Sequence, residues 1–183
     1  LSNGRINNSY IANVNTAECA NDVTYALKEG STLPAGLTLT PGGTIVGTPT
    51  QTVSGHTFTV VASSDFCQPV EAQFTISVGL AFNDFDLADG TEGSAYYSSV
   101  AMAQGAGNIV YSVKEGALPE GLTLSSDGVI SGTPSKAGVY NFTVSATAEG
   151  LEGDEIEVML YVANAEGGSV DVGGTEDNTG AII

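Results

Sequence analysis

The segment LPEGLTLSSDGVISGTP, at residues 118–134, decides the fold of this chain. Its Leu-Thr-Leu at 122–124 alternates apolar and polar side chains, as a half-buried strand does. Asp-Gly at 127–128 supplies the positive φ angles that a tight hairpin turn needs. A second strand resumes at 129–130 and ends before Pro134, because proline has no N–H to donate to a central ladder. The segment therefore predicts two short antiparallel strands.

The same pattern occurs 85 positions earlier, as LPAGLTLTPGGTIVGTP at residues 33–49. Upstream of it, residues 4–25 align with residues 90–111 without a gap, at an offset of 86. Such a period predicts two tandem domains, each large enough for a sandwich core. We place the first domain at 1–79 and the second at 80–163. The remaining residues, 164–183, are Gly-rich and acidic, which is typical of a linker or of the start of a further module.

The repeated motif resembles the putative Ig domain family, a cadherin-like and dystroglycan-like β-sandwich repeat common in bacterial surface and secreted proteins. The resemblance lies in Leu-Pro-x-Gly-Leu-x-Leu, a Gly-containing turn, and Ile-x-Gly-Thr-Pro followed by an aromatic strand such as YNFTV at 140–144. It implies an all-β fold of two tandem Ig-like (cadherin-like) β-sandwich domains with a short linker. The 24 glycines and the absence of a sustained 3.6-residue apolar period agree with it.

Strand alternation predicts where the chain is buried. In the second copy we expect strands near 95–102, 109–114, 121–125, 128–132, 138–147 and 155–163, and the first copy follows by the offsets. Equivalent residues should form the two cores: Tyr25, Leu37, Leu39, Ile45, Phe58 and Val60 in the first domain, and Tyr111, Leu122, Leu124, Ile130, Phe142 and Val144 in the second.

The formal charge of −17 is concentrated in the second domain, where two basic residues face twelve acidic ones. So large an acidic excess repels phosphate backbones and anionic lipid, which disfavours nucleic-acid or membrane-surface binding. No stretch has the roughly 18 apolar residues of a membrane span, so we expect no membrane insertion. The sequence also lacks a signal-peptide pattern at Leu1. We expect a mature or excised fragment whose partners include other domains of the same longer chain.

Catalytic motifs are not apparent, and we predict that the chain is not an enzyme. A Ser-His-Asp triad needs a histidine, and the single one, His56, stands at the entry to an aromatic strand, where an exposed polar residue is expected. Zinc would need more His or Cys ligands than the chain offers. Lys28 and Lys114 each follow an inward-facing residue, so alternation points them outward and argues against a buried Lys–Asn crosslink.

Cys19 and Cys67 are the two cysteines of the chain. Both lie in loops of the first copy that meet at one end of an Ig-like sandwich, so we predict a disulfide between them. It would stabilise the domain by roughly 4 kcal/mol in the chain-entropy model and implies an oxidising compartment. Because a pre-ordered loop loses less entropy on binding, the distal loops at 16–22 and 63–70 are the candidate ligand-binding region. Its candidate contact residues are Asp65, Phe66 and Gln68. The alternative is a bridge that only stabilises the domain.

Calcium is the one cofactor that the resemblance suggests, because cadherin-like relatives often hold it between domains. The ion takes six to eight oxygen ligands, chiefly carboxylates and carbonyls. The candidate ligands come from the linker and from one loop of the second copy: Asp84, Asp86, Asp89, Glu149, Glu152 and Asp154. The Asp-x-Asp-Gly-Asp loop of calcium-binding relatives is replaced by QGAGN at 104–108, so solvated acidic loops are the alternative.

Two functions from different classes agree with these features. The first is an extracellular module of a bacterial cell-surface or secreted protein, acting as an adhesive segment or as a stalk. The second is a polysaccharide-binding accessory module of a secreted enzyme. Such modules stack sugars on exposed aromatic rings, and this chain has no Trp but several tyrosines: Tyr96, Tyr97, Tyr140 and Tyr161. The ligand would accordingly be a protein or a glycan.

Overall fold

The computed structural model describes residues 1–14, 22–101 and 103–165. Within these ranges all regular structure is β, and no helix has the length and apolar character needed to cross a membrane. In the first sandwich a four-stranded sheet, in the order β1-β7-β6-β3, faces a three-stranded sheet, in the order β2-β5-β4. Its strands are β1 (Gly4–Arg5), β2 (Tyr10–Asn13), β3 (Thr24–Leu27), β4 (Leu37–Leu39), β5 (Thr44–Gly47), β6 (Val53–Ser64) and β7 (Cys67–Gly79).

The second sandwich repeats this arrangement with sheets in the orders β12-β15-β16-β9 and β10-β14-β13, and adds a two-stranded sheet of β8 and β11. Its strands are β8 (Ala81–Phe82), β9 (Gly90–Thr91), β10 (Tyr96–Ser99), β11 (Ala103–Gln104), β12 (Val110–Gly116), β13 (Leu122–Leu124), β14 (Val129–Gly132), β15 (Gly138–Thr147) and β16 (Asp154–Ala163). The prediction of two tandem all-β Ig-like domains is confirmed.

Two of the three glycines in the segment 118–134, Gly121 and Gly132, lie in close contact with backbone atoms of the facing chain segment. A Cβ on Gly132 would lie 2.0 Å from the carbonyl oxygen of Gly121. A Cβ on Gly121 would lie 2.0 Å from the carbonyl oxygen of Thr133. Both glycines also have positive φ angles. Any side chain at either position would therefore push the start of β13 away from the end of β14. Gly36 and Gly47 have the same environment in the first domain.

The predicted core positions are inside the two sandwiches. Nine of the twelve are buried, and the other three, Tyr25, Leu39 and Leu124, pack partly buried against the same clusters. Alternation in β16 is also confirmed, because Val158, Leu160 and Val162 are buried whereas Met159 is 63 % exposed. The inward and outward faces of the strands therefore follow the pattern of the sequence.

Strand bounds differ from the prediction mainly in the β6–β7 hairpin. We expected Cys67 in a loop before the last strand, but β7 already begins at Cys67, which pairs with Ser64 across a two-residue turn. The expectation was wrong because it carried the start of the last strand over from the second copy by the repeat offset, whereas β7 begins earlier than its counterpart β16 does. Proline is tolerated here because, among the described residues, β1 alone lies on the far side of β7 and pairs only with Val78 and Gly79, so that no described strand pairs with the start of β7 there.

Candidate functional site

The connection between the domains is short and forms part of the second domain. Gly79 ends β7, and the next residue, Leu80, is fully buried in the second core. The Leu80 N–H donates to the Glu152 carbonyl oxygen at 2.8 Å. A Cβ on Gly79 would lie 2.7 Å from that same oxygen, so the close approach of the two chains requires glycine there. The loop between β15 and β16 therefore faces the first domain, as predicted.

Arg5, in the first strand of the first domain, bonds to the second domain through its guanidinium group. Its Nη1 donates to the carbonyl oxygens of Leu80, at 2.9 Å, and Gly153, at 2.7 Å. The same nitrogen lies 3.0 Å from Asp154 Oδ1. The other oxygen of that carboxylate accepts the Phe82 N–H at 2.8 Å. One cation thus neutralises Asp154 and joins β1 to the linker and to the start of β16.

An apolar contact and a further hydrogen bond lie beside Arg5. Ile6, Val78 and Ala81 form a buried cluster that takes residues from both sides of the linker, with Val53 packed against it. On the neighbouring loop the Ala106 N–H donates to Thr52 Oγ1 at 3.0 Å. We call the contacts of Arg5, this cluster and the Thr52 bond the interdomain junction. Its three parts lie on separate strands and loops, so they resist both bending and rotation.

The six predicted calcium ligands are not gathered at one point. Glu152 accepts the Asn3 side-chain amide at 2.9 Å, and Asp154 is occupied by Arg5. Asp86 and Asp89 lie along the edge of β16 instead, in a groove they share with Met159 and Tyr161. Among the described residues no group of three or more His, Cys, Asp or Glu side chains could hold a metal ion.

Sequence reasoning missed Arg5, although the repeat contained a signal. The residue equivalent to Arg5 in the second copy is Thr91, and the residue equivalent to Asp154 in the first copy is Val70. Both partners therefore depart from the repeat, whereas the neighbouring pair of Gly4 and Val78 is retained as Gly90 and Val162. When one copy gains a basic residue and the other gains an acidic one at positions beside the linker, the two changes together indicate a contact between the copies.

The distal end of the first domain is the tip of the β6–β7 hairpin. Asp65 and Phe66 form its turn, and Phe66 is 77 % exposed, as expected. Gln68 follows in β7 and is also exposed. Since β7 runs from this turn to the junction, the tip lies about 40 Å from the second domain. Cys67 is not a free thiol, while its predicted partner Cys19 and loop residues 16–21 lie outside the described residues.

Two exposed ion pairs occupy equivalent positions in the two copies. Lys28 Nζ lies 2.6 Å from Glu71 and Lys114 Nζ lies 2.6 Å from Glu155, with side chains close to half exposed. Hydrogen bonding to Glu155 raises the pKa of Lys114. The outward orientation predicted for both lysines is confirmed. His56 Nε2 lies 2.7 Å from the Thr32 carbonyl oxygen, on the rim of the first domain.

Tyrosines divide between core and surface. Tyr96 is buried and its hydroxyl donates to the Ala88 carbonyl at 2.9 Å, while its neighbour Tyr97 is 74 % exposed. The first copy repeats this hydroxyl bond, from Tyr10 to the carbonyl of Ser2. Burial raises the pKa of three tyrosines: Tyr10, Tyr96 and Tyr111. Of this adjacent pair, Tyr97 therefore carries the exposed ring.

The comparison with protein families agrees with this architecture. The model of the family described as Putative Ig domain matches residues 3–79 and 84–163. No protein with a curated description matches the chain. Solved structures similar to it include a putative alpha-galactosidase/melibiase from Bacteroides fragilis, with 20 % identity over 46 % of this chain and 17 % of that one, at a TM-score of 0.41. An endo-fucoidan hydrolase of glycoside hydrolase family 107 has 18 % identity over 90 % of this chain and 27 % of that one, at a TM-score of 0.41.

Extracellular domains 3–5 of Drosophila OTK have 13 % identity over 88 % of this chain and 58 % of that one, at a TM-score of 0.46. The chain thus spans less than two thirds of each of these proteins.

Proposed function

Because the chain belongs to the putative Ig domain family, we propose that it is a non-catalytic extracellular module of a bacterial cell-surface or secreted protein, which acts as a stalk or adhesive segment. The interdomain junction carries this proposal. It lies at the C-terminal end of β7 and at the N-terminal end of β16, so the outer ends of the two sandwiches point in opposite directions. A junction that resists bending keeps those ends at a fixed separation, which is what a spacer requires.

Small-angle X-ray scattering of the whole chain tests the stalk function. A stalk should give one maximum dimension, set by two sandwiches end to end, that does not change between low and high salt. The Arg5→Ala variant should give a broader distance distribution, because it removes three contacts across the junction. If the unaltered protein already scatters as two freely hinged domains, the stalk proposal is wrong.

The adhesive part of the proposal concerns the distal hairpin. An exposed aromatic ring on a rigid turn binds with little loss of conformational entropy. A Cys19–Cys67 disulfide would hold the neighbouring loop against this turn. Combined substitution of Asp65, Phe66 and Gln68 by alanine should abolish binding to a protein ligand or to cells while thermal melting stays unchanged. Unaltered adhesion of that variant would place the binding surface elsewhere.

Peptide mapping of the unreduced protein tests the disulfide directly. A linked pair of peptides containing Cys19 and Cys67 is expected from protein purified from an oxidising compartment. Reduction should lower the melting temperature of the first domain alone, since the second domain has no cysteine. Two free thiols in that preparation would contradict the bridge.

The second candidate function is polysaccharide binding, and exposed Tyr97 favours it. The ring lies on β10, an edge strand of the three-stranded sheet, where it could stack against a sugar. A glycan array distinguishes the two functions. Binding to a polysaccharide that Tyr97→Ala abolishes would support the accessory module, whereas a blank array together with protein-dependent adhesion would support the stalk.

A further inference from the structure

A groove of about 510 Å³ runs along one side of the first sandwich, between β3 and β4. Its floor is apolar and consists mainly of four leucines, of which Leu37 is buried in the first core and the other three are partly buried against it: Leu27, Leu33 and Leu39. None of the ten described residues that line it carries a charge, although the chain as a whole has a net charge of −17. The groove is thus a neutral, apolar surface on a strongly acidic protein.

The walls of the groove are the edges of two different sheets. Among the described residues β3 pairs only with β6, and β4 only with β5. One backbone hydrogen bond joins the walls at the closed end of the groove, from the Tyr25 N–H to the Pro41 carbonyl at 2.9 Å. No further backbone bond connects β3 to β4 within the described part of the chain.

The phase of each ladder determines which backbone groups face the groove. The Lys28 N–H donates to Thr59 across the β3–β6 ladder, so its neighbour Leu27 directs its N–H and C=O away from β6. Likewise the Thr40 N–H donates to Thr44 across the β4–β5 ladder, so the N–H and C=O of Leu39 point away from β5. Both walls therefore present a donor and an acceptor that no described residue uses.

We propose that this groove binds an extended peptide segment of a partner protein, one that is neutral or basic and has apolar side chains at alternate positions. Backbone donors and acceptors on both walls are the complement of a β-strand, and the leucine floor accepts the side chains on one face of that strand. An acidic segment is disfavoured by the charge of the chain. The bound strand would connect the two sheets of the first domain at Leu27 and Leu39.

The second domain supplies an internal control because its corresponding side is built differently. The ladder phase at Val113, the equivalent of Leu27, is the same, because the register of β12 shifts only beyond it, between Val113 and Glu115. The strand itself differs, since β12 continues to pair with β15 as far as Gly116. The aromatic residue equivalent to Tyr25, Tyr111, is buried and packs edge-on against Phe82 at a centroid distance of 6.1 Å. The proposal therefore predicts binding to the first domain alone.

The test uses a synthetic peptide of alternating Thr and Val, three of each, with a lysine at either end and blocked termini. In the whole protein, amide NMR signals should shift at Leu27, Leu39 and their neighbours, and not at Val113 or Leu124. The same peptide N-methylated at alternate residues keeps its side chains but loses backbone donors, so it should bind at least about tenfold more weakly.

A groove-filling variant, Thr32→Tyr, should weaken binding of the peptide to the same degree, and its matched control in the second domain, Ala117→Tyr, should leave binding unchanged. Three results would overturn the proposal: no shifts up to the solubility limit of the peptide, equal shifts in both domains, or equal binding of the N-methylated peptide. The last would show an apolar pocket that does not recognise a peptide backbone.

Discussion

Replacing Arg5 by alanine removes the contacts that join β1 to the second domain. The side chain makes hydrogen bonds of 2.9 and 2.7 Å to two backbone carbonyls and an ion pair of 3.0 Å to Asp154. Hydrogen bonds that involve a charged group contribute about 1.5–3 kcal/mol each, and exposed ion pairs about 0–1. Because the Arg5 side chain is 37 % exposed, solvent screens these interactions and the lower values apply. We expect a loss of about 3 kcal/mol in the free energy of unfolding.

Urea unfolding followed by tyrosine fluorescence and by NMR measures this loss. In the unaltered protein the junction couples the two domains, so their transitions should overlap. In the variant the domains should unfold at separate midpoints, because each keeps its own core. The matched control is Lys28→Ala, which breaks an ion pair inside the first domain whose two side chains are 49 and 48 % exposed. That control variant should lower the free energy of unfolding by less than about 1 kcal/mol and leave the coupling between the two domains unchanged.

A double-mutant cycle with Asp154→Asn isolates the ion pair from the two carbonyl bonds. Residues in direct contact show interaction energies of about 0.5–3 kcal/mol in such cycles. If Arg5→Ala costs no more than Lys28→Ala and the midpoints of the two domains stay together, the reasoning from the junction is refuted.

The Phe142 side chain is 3 % exposed, so Phe142→Ala should lower the free energy of unfolding by about 3–5 kcal/mol. A loss below about 1 kcal/mol in denaturant unfolding would show that the core assignment is wrong. Millimolar calcium should leave thermal melting unchanged, since Arg5 already neutralises Asp154; a calcium-dependent rise that chelation reverses would contradict this. Stability should be constant up to about pH 9 and fall above about pH 10, because folding raises the pKa of three buried tyrosines and so holds them protonated after the unfolded chain would ionise: Tyr10, Tyr96 and Tyr111. Thermal melts followed by circular dichroism across that range measure it, and a flat profile to pH 11 would be evidence against the burial of these rings.

Local chemistry explains why the fold was predictable from the sequence. Within 118–134 the side-chain alternation, the Asp-Gly turn and the terminal proline all indicate the same hairpin, and the copy at 33–49 repeats each signal. Agreement among independent local preferences is what lets a sequence specify one structure. The residues that face the core were predictable as well, because a strand places alternate side chains on one side of its sheet.

The β6–β7 hairpin of the first domain was harder to predict because its sequence signals disagree. Its turn, Asp65-Phe66, lacks the glycine that usually marks a two-residue hairpin, and Pro69 is rare within strands. The strand persists to Cys67 because no described strand pairs with the outer side of β7 at Pro69. Whether a proline ends a strand thus depends on the neighbouring strand, which local sequence does not reveal.

The junction could not be predicted from the acidic residues alone. Counting carboxylates near the linker suggested a cation site, but Asp154 is held by a guanidinium group from the N-terminal strand of the first domain. That pairing depends on two positions that differ between the copies. Val70 replaces Asp154 and Gln68 replaces Glu152 at the distal end of the first domain. That end therefore has no carboxylate at the two positions that face Arg5 and Asn3 in the junction, and it presents an exposed valine and phenylalanine. A domain that joined there could not repeat the Arg5–Asp154 pair, so this pair belongs to the one junction.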